Sequence, residues 1–173
     1  MENLNTLFID FNGTLAEFRC DDGPDKYAAK GYTATLLPQE NVVEAVRYII
    51  KNKLMNVVFT GAVLPYEYCI EERYQWMKKY LPEVTEFIFS DYGKSKLSAM
   101  INYGIRKGDV LLDDYNVNLQ EGIDHAVIPV KLVNQVNDMH HSWCGARVSA
   151  FTDPEILAMQ IVGISEMQKR RIK

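Results

Sequence analysis

Residues Asp10-Phe11-Asn12-Gly13-Thr14-Leu15 follow the apolar run Leu7-Phe8-Ile9 and place one carboxylate where a buried strand ends and a Gly-Thr turn begins. An ionised Asp in that position is equipped to act as a nucleophile or a metal ligand. Farther along, Thr60-Gly61 closes the run Val57-Val58-Phe59, Lys96 stands at the start of a helical pattern, and Asp113-Asp114 follows Leu111-Leu112. Three carboxylates, a hydroxyl and an ammonium thus come from four separate segments. Such a set suits phosphate chemistry through an aspartyl nucleophile. A divalent metal held by Asp10 and the Asp113/Asp114 pair offsets the repulsion between the attacking carboxylate and a phosphate. Oxygen-only ligands with retained waters point to Mg²⁺. Thr60, Lys96 and backbone amides near Gly13 and Gly61 are suited to the remaining phosphoryl oxygens and to charge that develops in the transition state.

The elements that must position these groups alternate, short apolar runs with longer amphipathic stretches. This predicts an α/β, Rossmann-like fold with a mostly parallel five-stranded sheet flanked by helices. The strands are expected at residues 4–10, 55–60, 86–90, 109–112 and 126–130. Carboxyl ends of such strands are where open α/β sheets bind ligands. Helices are expected at 41–52 with Asn41 as N-cap, and at 66–80 with Ile70, Tyr74, Met77 and Leu81 on one stripe. Others are expected at 96–103, closed by Gly104, at 117–122, and from Pro154 to about residue 168. The stretch 16–39 has little periodicity and is long for a strand-to-helix connection, so it reads as a small lid inserted after the first strand.

At 173 residues with 47% hydrophobic content, the chain fits one domain spanning 1–173. Twenty-three acids against 19 bases give a formal charge of -4, without a basic tract beyond the end Lys169-Arg170-Arg171-Ile172-Lys173, so no nucleic-acid partner is expected. Cys20, Cys69 and Cys144 are odd in number and widely spaced, which fits a reducing compartment and no disulfide framework. No secretory signal opens the chain, and no apolar run approaches the roughly 20 residues that span a bilayer, so no membrane partner and a cytoplasmic location are expected.

The order D-x-x-G-T-L, a strand-ending Thr, a Lys and then Asp-Asp resembles the haloacid dehalogenase superfamily. Within it the chain is similar to the short proteins grouped with the cytosolic type C 5′(3′)-deoxyribonucleotidases. The likeness runs through Gly13-Thr14-Leu15-Ala16, residues 38–46, 74–82, Tyr92-Gly93-Lys94-Ser95-Lys96 and 111–118. The resemblance implies a Mg²⁺-dependent phosphatase that acts on a small phosphorylated metabolite, such as a nucleotide monophosphate, through an aspartyl-phosphate. It makes Asp10 the nucleophile, with Thr60 and Lys96 as catalytic partners. Asp10, the backbone carbonyl of Asn12, Asp113 and Asp114 hold the metal, and Gly13, Thr14, Gly61, Arg19 and Arg147 contact the substrate. Asn12 stands where the family's general acid protonates the leaving alkoxide, and an amide cannot do that. General acid-base help is worth about 10²- to 10⁴-fold. Three accounts fit: a native Asp was exchanged by design, the natural substrate carries a good leaving group or is only bound, or deamidation before Gly13 supplies the acid. A catalytically weak phosphate-binding or regulatory protein is the alternative reading.

Other groups have plainer roles. Phe11 is expected to pack. His140-His141 with Cys144 lacks a fourth ligand, and adjacent histidines do not easily converge on one ion. Phe18, Tyr27, Tyr32 and Arg19 in the 16–39 stretch suit either packing or stacking on a base, and Arg147 suits either a substrate anion or a surface ion pair. No Walker-type loop is present. A phosphoacceptor receiver domain also uses Asp, Thr and Lys, but its acidic pair precedes the phosphoacceptor, whereas here the pair comes last.

Overall fold

Among the described residues, six short strands form one sheet in which every pairing is parallel. The computed structural model describes residues 4–137 and 142–170, the last three of these by backbone alone. The strands are β1 (Thr6–Ile9), β2 (Asn56–Val63), β3 (Glu86–Asp91), β4 (Val110–Asp113), β5 (Ile128–Val133) and β6 (Ala146–Ser149), in the order β3-β2-β1-β4-β5-β6. The helices are α1 (Pro24–Tyr27), α2 (Glu40–Lys51), α3 (Glu67–Tyr80), α4 (Lys96–Tyr103), α5 (Asn116–Gly122) and α6 (Pro154–Arg170). The chain winds outward from β1 through β2 to β3, then returns to β1's other side and winds through β4 to β6. The reversal lies between β1 and β4, and there the carboxyl ends of neighbouring strands diverge and open a crevice.

The α/β architecture with a parallel sheet is as the sequence predicts, but the sheet has six strands, not five. The sixth, Ala-Arg-Val-Ser, buries only Val148 well, so four residues with one core side chain gave no periodic signal. Strand β2 also runs to Val63 instead of ending at Thr60. Its register with β1 stops at Ile9–Phe59 while that with β3 continues to Val63–Asp91, so beyond Phe59 its other edge faces the loop after β1. Helix α2 starts at Glu40 without a side-chain cap, which puts Asn41 inside the helix.

Strand alternation sorts the side chains onto two faces. Leu7, Ile9, Phe59, Val110 and Leu112 meet α2, α3 and α6 in the larger core, with Val46, Met77 and Leu157 opposite them. Phe8, Val58 and Leu111 meet Leu97 and Met100 of α4 and Leu119 of α5 in the smaller one. Two residues on from Phe8, Val58 and Leu111 stand Asp10, Thr60 and Asp113. The period of two therefore carries one carboxylate, one hydroxyl and a second carboxylate onto the α4 face at the carboxyl edge of the sheet.

Residues 16–39 hold α1 and a single 3₁₀ turn, Thr33–Thr35, and dock on α3. Tyr68, Glu72 and Trp76 recur every four residues along that helix. The Tyr68 hydroxyl donates to the Ala28 carbonyl at 2.5 Å and the Trp76 indole to Leu36 O at 2.9 Å. Between them the Glu72 carboxylate accepts from the amides of Gly31 (2.5 Å) and Thr33 (3.2 Å). This corrects half of the helical stripe expected from the sequence: Met77 and Leu81 are in the core, but Ile70 and Tyr74 are 37% and 41% exposed, and Glu72 and Trp76 are buried in their stead. No helix among the described residues is long and apolar enough to cross a membrane.

Candidate active site

Asp10 lies one residue beyond β1, and its N–H donates to Leu112 O at 3.0 Å, which extends the ladder to β4 by one rung. Lys96 is the first residue of α4, whose N-cap Ser95 accepts from the Ser98 amide at 3.2 Å. A cation there opposes the helix dipole, yet Lys96 is only 3% exposed. Two carboxylates hold it: Nζ donates to Asp10 Oδ1 at 2.6 Å and to Asp113 Oδ2 at 2.5 Å. Asp113 is filled by further donors, the Tyr115 amide on Oδ1 (2.8 Å) and Asn118 Nδ2 on Oδ2 (2.9 Å). Asp10 Oδ2 stays outside the ion pair with Lys96.

Asp114 completes the cluster. Oxygens of Asp10, Asp113 and Asp114 lie within 4.8 Å of one another, close enough to hold one cation. Three carboxylates against one ammonium leave two negative charges, the charge of one divalent ion. The electrostatics record that excess. Burial, then repulsion from Asp113, raises the Asp10 carboxyl to about 6 against the pull of Lys96, and burial with the charges of Asp10 and Asp113 raises Asp114 to about 7. Burial acts to lower Lys96, but Asp10 and Asp113 hold it above its ordinary value.

Gly13 admits Asp114. Its φ is +78°, in the region that only glycine adopts freely, and a Cβ there would stand 2.2 Å from Asp114 Oδ2. Asn134 ties the two together, donating from Nδ2 to Gly13 O at 2.7 Å and to Asp114 Oδ2 at 3.1 Å. We expect Gly13→Ala to lower stability by about 2 kcal/mol or more and to abolish stabilisation by Mg²⁺. Thermal melts with and without Mg²⁺ measure both, and an unchanged Mg²⁺ response would separate Asp114 from the metal site.

The hydroxyls of Thr14 and Thr60, both fully buried, make no hydrogen bond to the protein, nor does that of Ser90. A buried hydroxyl left unpaired costs about 1–3 kcal/mol, so such groups mark places where a ligand supplies the partner. Thr60 shares the α4 face with Asp10, and Ser90 follows by alternation from Ile88, the β3 partner of Thr60.

No protein-family model matches the chain, and no curated protein sequence does. Solved structures do. The D,D-heptose 1.7-bisphosphate phosphatase from B. bronchiseptica, complexed with magnesium and phosphate, matches with a TM-score of 0.67 at 12% identity, over 92% of this chain and 99% of its own. A haloacid dehalogenase-like family hydrolase from Xanthomonas campestris matches with a TM-score of 0.59 at 9% identity, over 97% of this chain and 99% of its own. This chain has the haloacid dehalogenase fold. A chain of the Pnkp1/Rnl/Hen1 RNA repair complex also matches, with a TM-score of 0.54 at 16% identity, over 74% of this chain and 42% of that one.

Within the haloacid dehalogenase fold, Asp10, Lys96, Asp113 and Asp114 converge, with Gly13 against Asp114. Thr60 and Gly61 lie inside β2, and Gly61 leaves room for Phe59, whose ring a Cβ would meet at 3.1 Å. Two residues assigned to substrate are drawn elsewhere. Arg19 spends its guanidinium on Glu17 Oε1 (2.5 Å) and on Thr35 O (2.7 Å). Arg147 lies exposed on β6, two strands from β4, and donates to Trp143 O. His140 and His141 lie outside the described residues, and Cys144 is exposed and free, as is Cys20. For Asn12, the Gly13 amide needed to close a deamidation ring already donates to Ala16 O at 2.8 Å.

The sequence reading missed several groups. Asn134 lies in a loop-like stretch with no periodic signal, and Asn118, inside the short helix expected at 117–122, carries no mark that sets it apart from a solvated polar residue. Lys131, 5% exposed, donates to Asn116 Oδ1 at 2.5 Å and to Asp114 O at 3.2 Å, and lies one residue past the strand expected at 126–130. Arg73 of α3 donates from Nη1 to Asn12 Oδ1 at 3.2 Å. Its guanidinium sits 3.8 Å from the centroid of the Phe11 ring, so Phe11 both packs and carries a cation. Asn12 and Arg73 line a cavity of about 510 Å³ between the 16–39 segment and the start of α3, walled by Tyr27, Tyr66, Tyr68 and Tyr92.

Proposed function

We propose that this chain is a Mg²⁺-dependent phosphomonoester hydrolase that works through an aspartyl-phosphate on Asp10. Its substrate is a small phosphorylated metabolite bearing a flat ring; a nucleotide monophosphate fits as a ligand, but its turnover is impaired because Asn12 cannot protonate a sugar alkoxide. The supporting observation is the cluster itself: a buried carboxylate, bridged by Lys96 to a second and adjacent to a third, at the strand reversal of the sheet.

Asp10, Asp113, Asp114 and the Asn12 carbonyl are the residues that would hold Mg²⁺. When bound, the ion supplies positive charge that offsets the repulsion between Asp10 and the phosphoryl group. The remaining work belongs to the chain. Lys96 holds Asp10 Oδ1, which fixes the carboxylate plane and aims Oδ2 as the attacking oxygen. Attack on phosphorus expels the leaving oxygen, and water then cleaves the acyl phosphate and regenerates Asp10. The Thr14 and Thr60 hydroxyls and the amides near Gly13 and Gly61 bind the other phosphoryl oxygens. The 16–39 segment serves as the lid, and its aromatic wall receives the ring.

Phosphate release from a panel of phosphomonoesters, with and without Mg²⁺, tests this reading, and release that depends on Mg²⁺ is expected. Phosphate binding without release would instead establish the rival, a binding or regulatory protein, which the amide at position 12 favours. The raised carboxyls give a second test. Between the ordinary carboxyl value of 3.8 and about 6 to 7, the folded metal-free chain binds more protons at Asp10 and Asp114 than the unfolded chain does. Its stability therefore falls as pH rises through that window. Mg²⁺ binds the ionised forms, so its affinity should be roughly tenfold to a hundredfold higher at about pH 8 than at about pH 5.5. Calorimetric titration at both pH values reads this directly, and a pH-independent affinity would place the ion elsewhere.

A further inference from the structure

We propose that Arg73 and Asn12 form a leaving-group site built only of hydrogen-bond donors, which confines efficient turnover to phosphates of weakly basic oxygens on an aromatic body, phenolic or carboxylic. This rests on the aspartyl-phosphate reading above and narrows its substrate class.

The geometry dictates what position 12 can offer. Because Asn12 Oδ1 accepts from Arg73 at 3.2 Å, the part of the amide left to face a ligand is its NH₂ group. A guanidinium likewise only donates. A guanidinium is not deprotonated in proteins, so Arg73 brings a permanent positive charge. It is also held in place: its guanidinium lies on the Phe11 ring, and Phe11 meets Trp76 edge-on at 4.8 Å. Two residues from the nucleophile there is thus a fixed cation with an amide beside it and no proton to transfer.

Nearby acids do not fill that gap. The Glu72 carboxylate is committed to the amides of Gly31 and Thr33, and Asp25 is exposed. Arg73 is the one basic side chain among the described residues that line the cavity, whose other walls are largely apolar and include six aromatic rings. The rings of Tyr66 and Tyr68 stack with centroids 5.4 Å apart and present a flat surface. The cavity therefore matches one anionic oxygen joined to a planar apolar group.

The chemistry balances without an acid. Asp10 Oδ2 bonds to phosphorus, the bond from phosphorus to the leaving oxygen breaks, and its electron pair departs as phenolate or carboxylate against Arg73 and the Asn12 amide. Water then attacks the same phosphorus, the pair of the cleaved bond returns to Asp10, and the surplus proton leaves on the phosphate product. A sugar alkoxide is too basic to leave this way at speed.

The test measures kcat/KM, which reports the first step, for the full chain with Mg²⁺. The substrates are phenyl phosphates of graded leaving-group basicity, benzoyl phosphate as the carboxylic arm and a nucleoside monophosphate as the alkoxide arm. Rates should fall about 10²- to 10⁴-fold from nitrophenyl to alkoxide, the span normally closed by a general acid. Arg73→Met should cost about 10²- to 10³-fold, with the loss growing along the series as the leaving oxygen becomes more basic. Arg73→Gln, which keeps donors but no charge, replaces it if the Met variant does not fold. The ratio of the phenolic to the carboxylic arm identifies the natural source. Equal rates across the series, or an equal loss on every arm in the Arg73 variants, would overturn the leaving-group site and leave the hydrolase standing. No release from any arm would overturn the hydrolase reading itself.

Discussion

Asp10→Asn should abolish phosphate release, by roughly 10⁴-fold or more, and at the same time raise the melting temperature of the metal-free protein. Both effects come from one carboxylate. An amide is not a nucleophile toward phosphorus, so the covalent step has no other route. Stability moves the opposite way because Asp10 is buried beside Asp113 and its carboxyl is raised from 3.8 to about 6. Above that pH the folded state carries a charge it would shed if it could, at a cost on the order of 1–3 kcal/mol. The Asn amide removes the charge while its oxygen still accepts from Lys96, which keeps Asp113 as its counter-ion. For a chain of this size that is a rise of several degrees at about pH 8, shrinking to nothing by about pH 4. Melts without metal are the measurement that matters, because Mg²⁺ would stabilise only the parent. A lower melting temperature for the variant would make Asp10 a structural partner of Lys96 and remove the main support for its role as nucleophile.

How much of this was legible in the residues differs by element. Asp10, Thr60 and Asp113 were readable because each ends or interrupts an apolar run, and strand alternation then puts them on one face. Lys96 was readable for a different reason, since it opens the short helical pattern that Gly104 closes. The reading failed where side chains serve a neighbouring segment and not the sheet. Of the expected α3 stripe, Met77 and Leu81 reach the core, yet Ile70 and Tyr74 do not, and Tyr68, Glu72 and Trp76 turn to the 16–39 segment, which offers backbone amides and carbonyls for them to bind. Polar residues become the buried ones when the partner is irregular backbone.

The same cause hid Arg73. In Glu71-Glu72-Arg73-Tyr74 it looks like any charge on a solvated helix, and only the docking of α3 beside the loop after β1 turns it toward Asn12. Arg19 is the converse case. It stood out in the sequence as a cation near the expected lid, and the structure spends it on Glu17 and Thr35 to hold the base of that segment. A cation's availability depends on which acids fold back onto it, and one chain's local sequence does not record that.

Lys96→Met should be the most destabilising single change at the site, by about 3–5 kcal/mol near pH 8, because it leaves buried carboxylates without their counter-ion. The helix-local effect has the opposite sign. Removing a cation from the first turn of α4 relieves an unfavourable dipole interaction of about 0.3–1 kcal/mol, so a net loss measures the carboxylates and not the helix. Two dependences distinguish this from simple loss of packing. As pH falls, the stranded carboxyl of Asp10 takes up a proton in the folded state at higher pH than before, so the deficit should shrink toward about pH 5. Mg²⁺ should restore much of the melting temperature at about pH 8, since it replaces the missing charge, but not phosphate release, since nothing then fixes the plane of Asp10. A deficit that is the same at both pH values and untouched by Mg²⁺ would mean that Lys96 matters for its methylene packing against the smaller core. The ion bridge would then be a consequence of the fold and not a condition of the site.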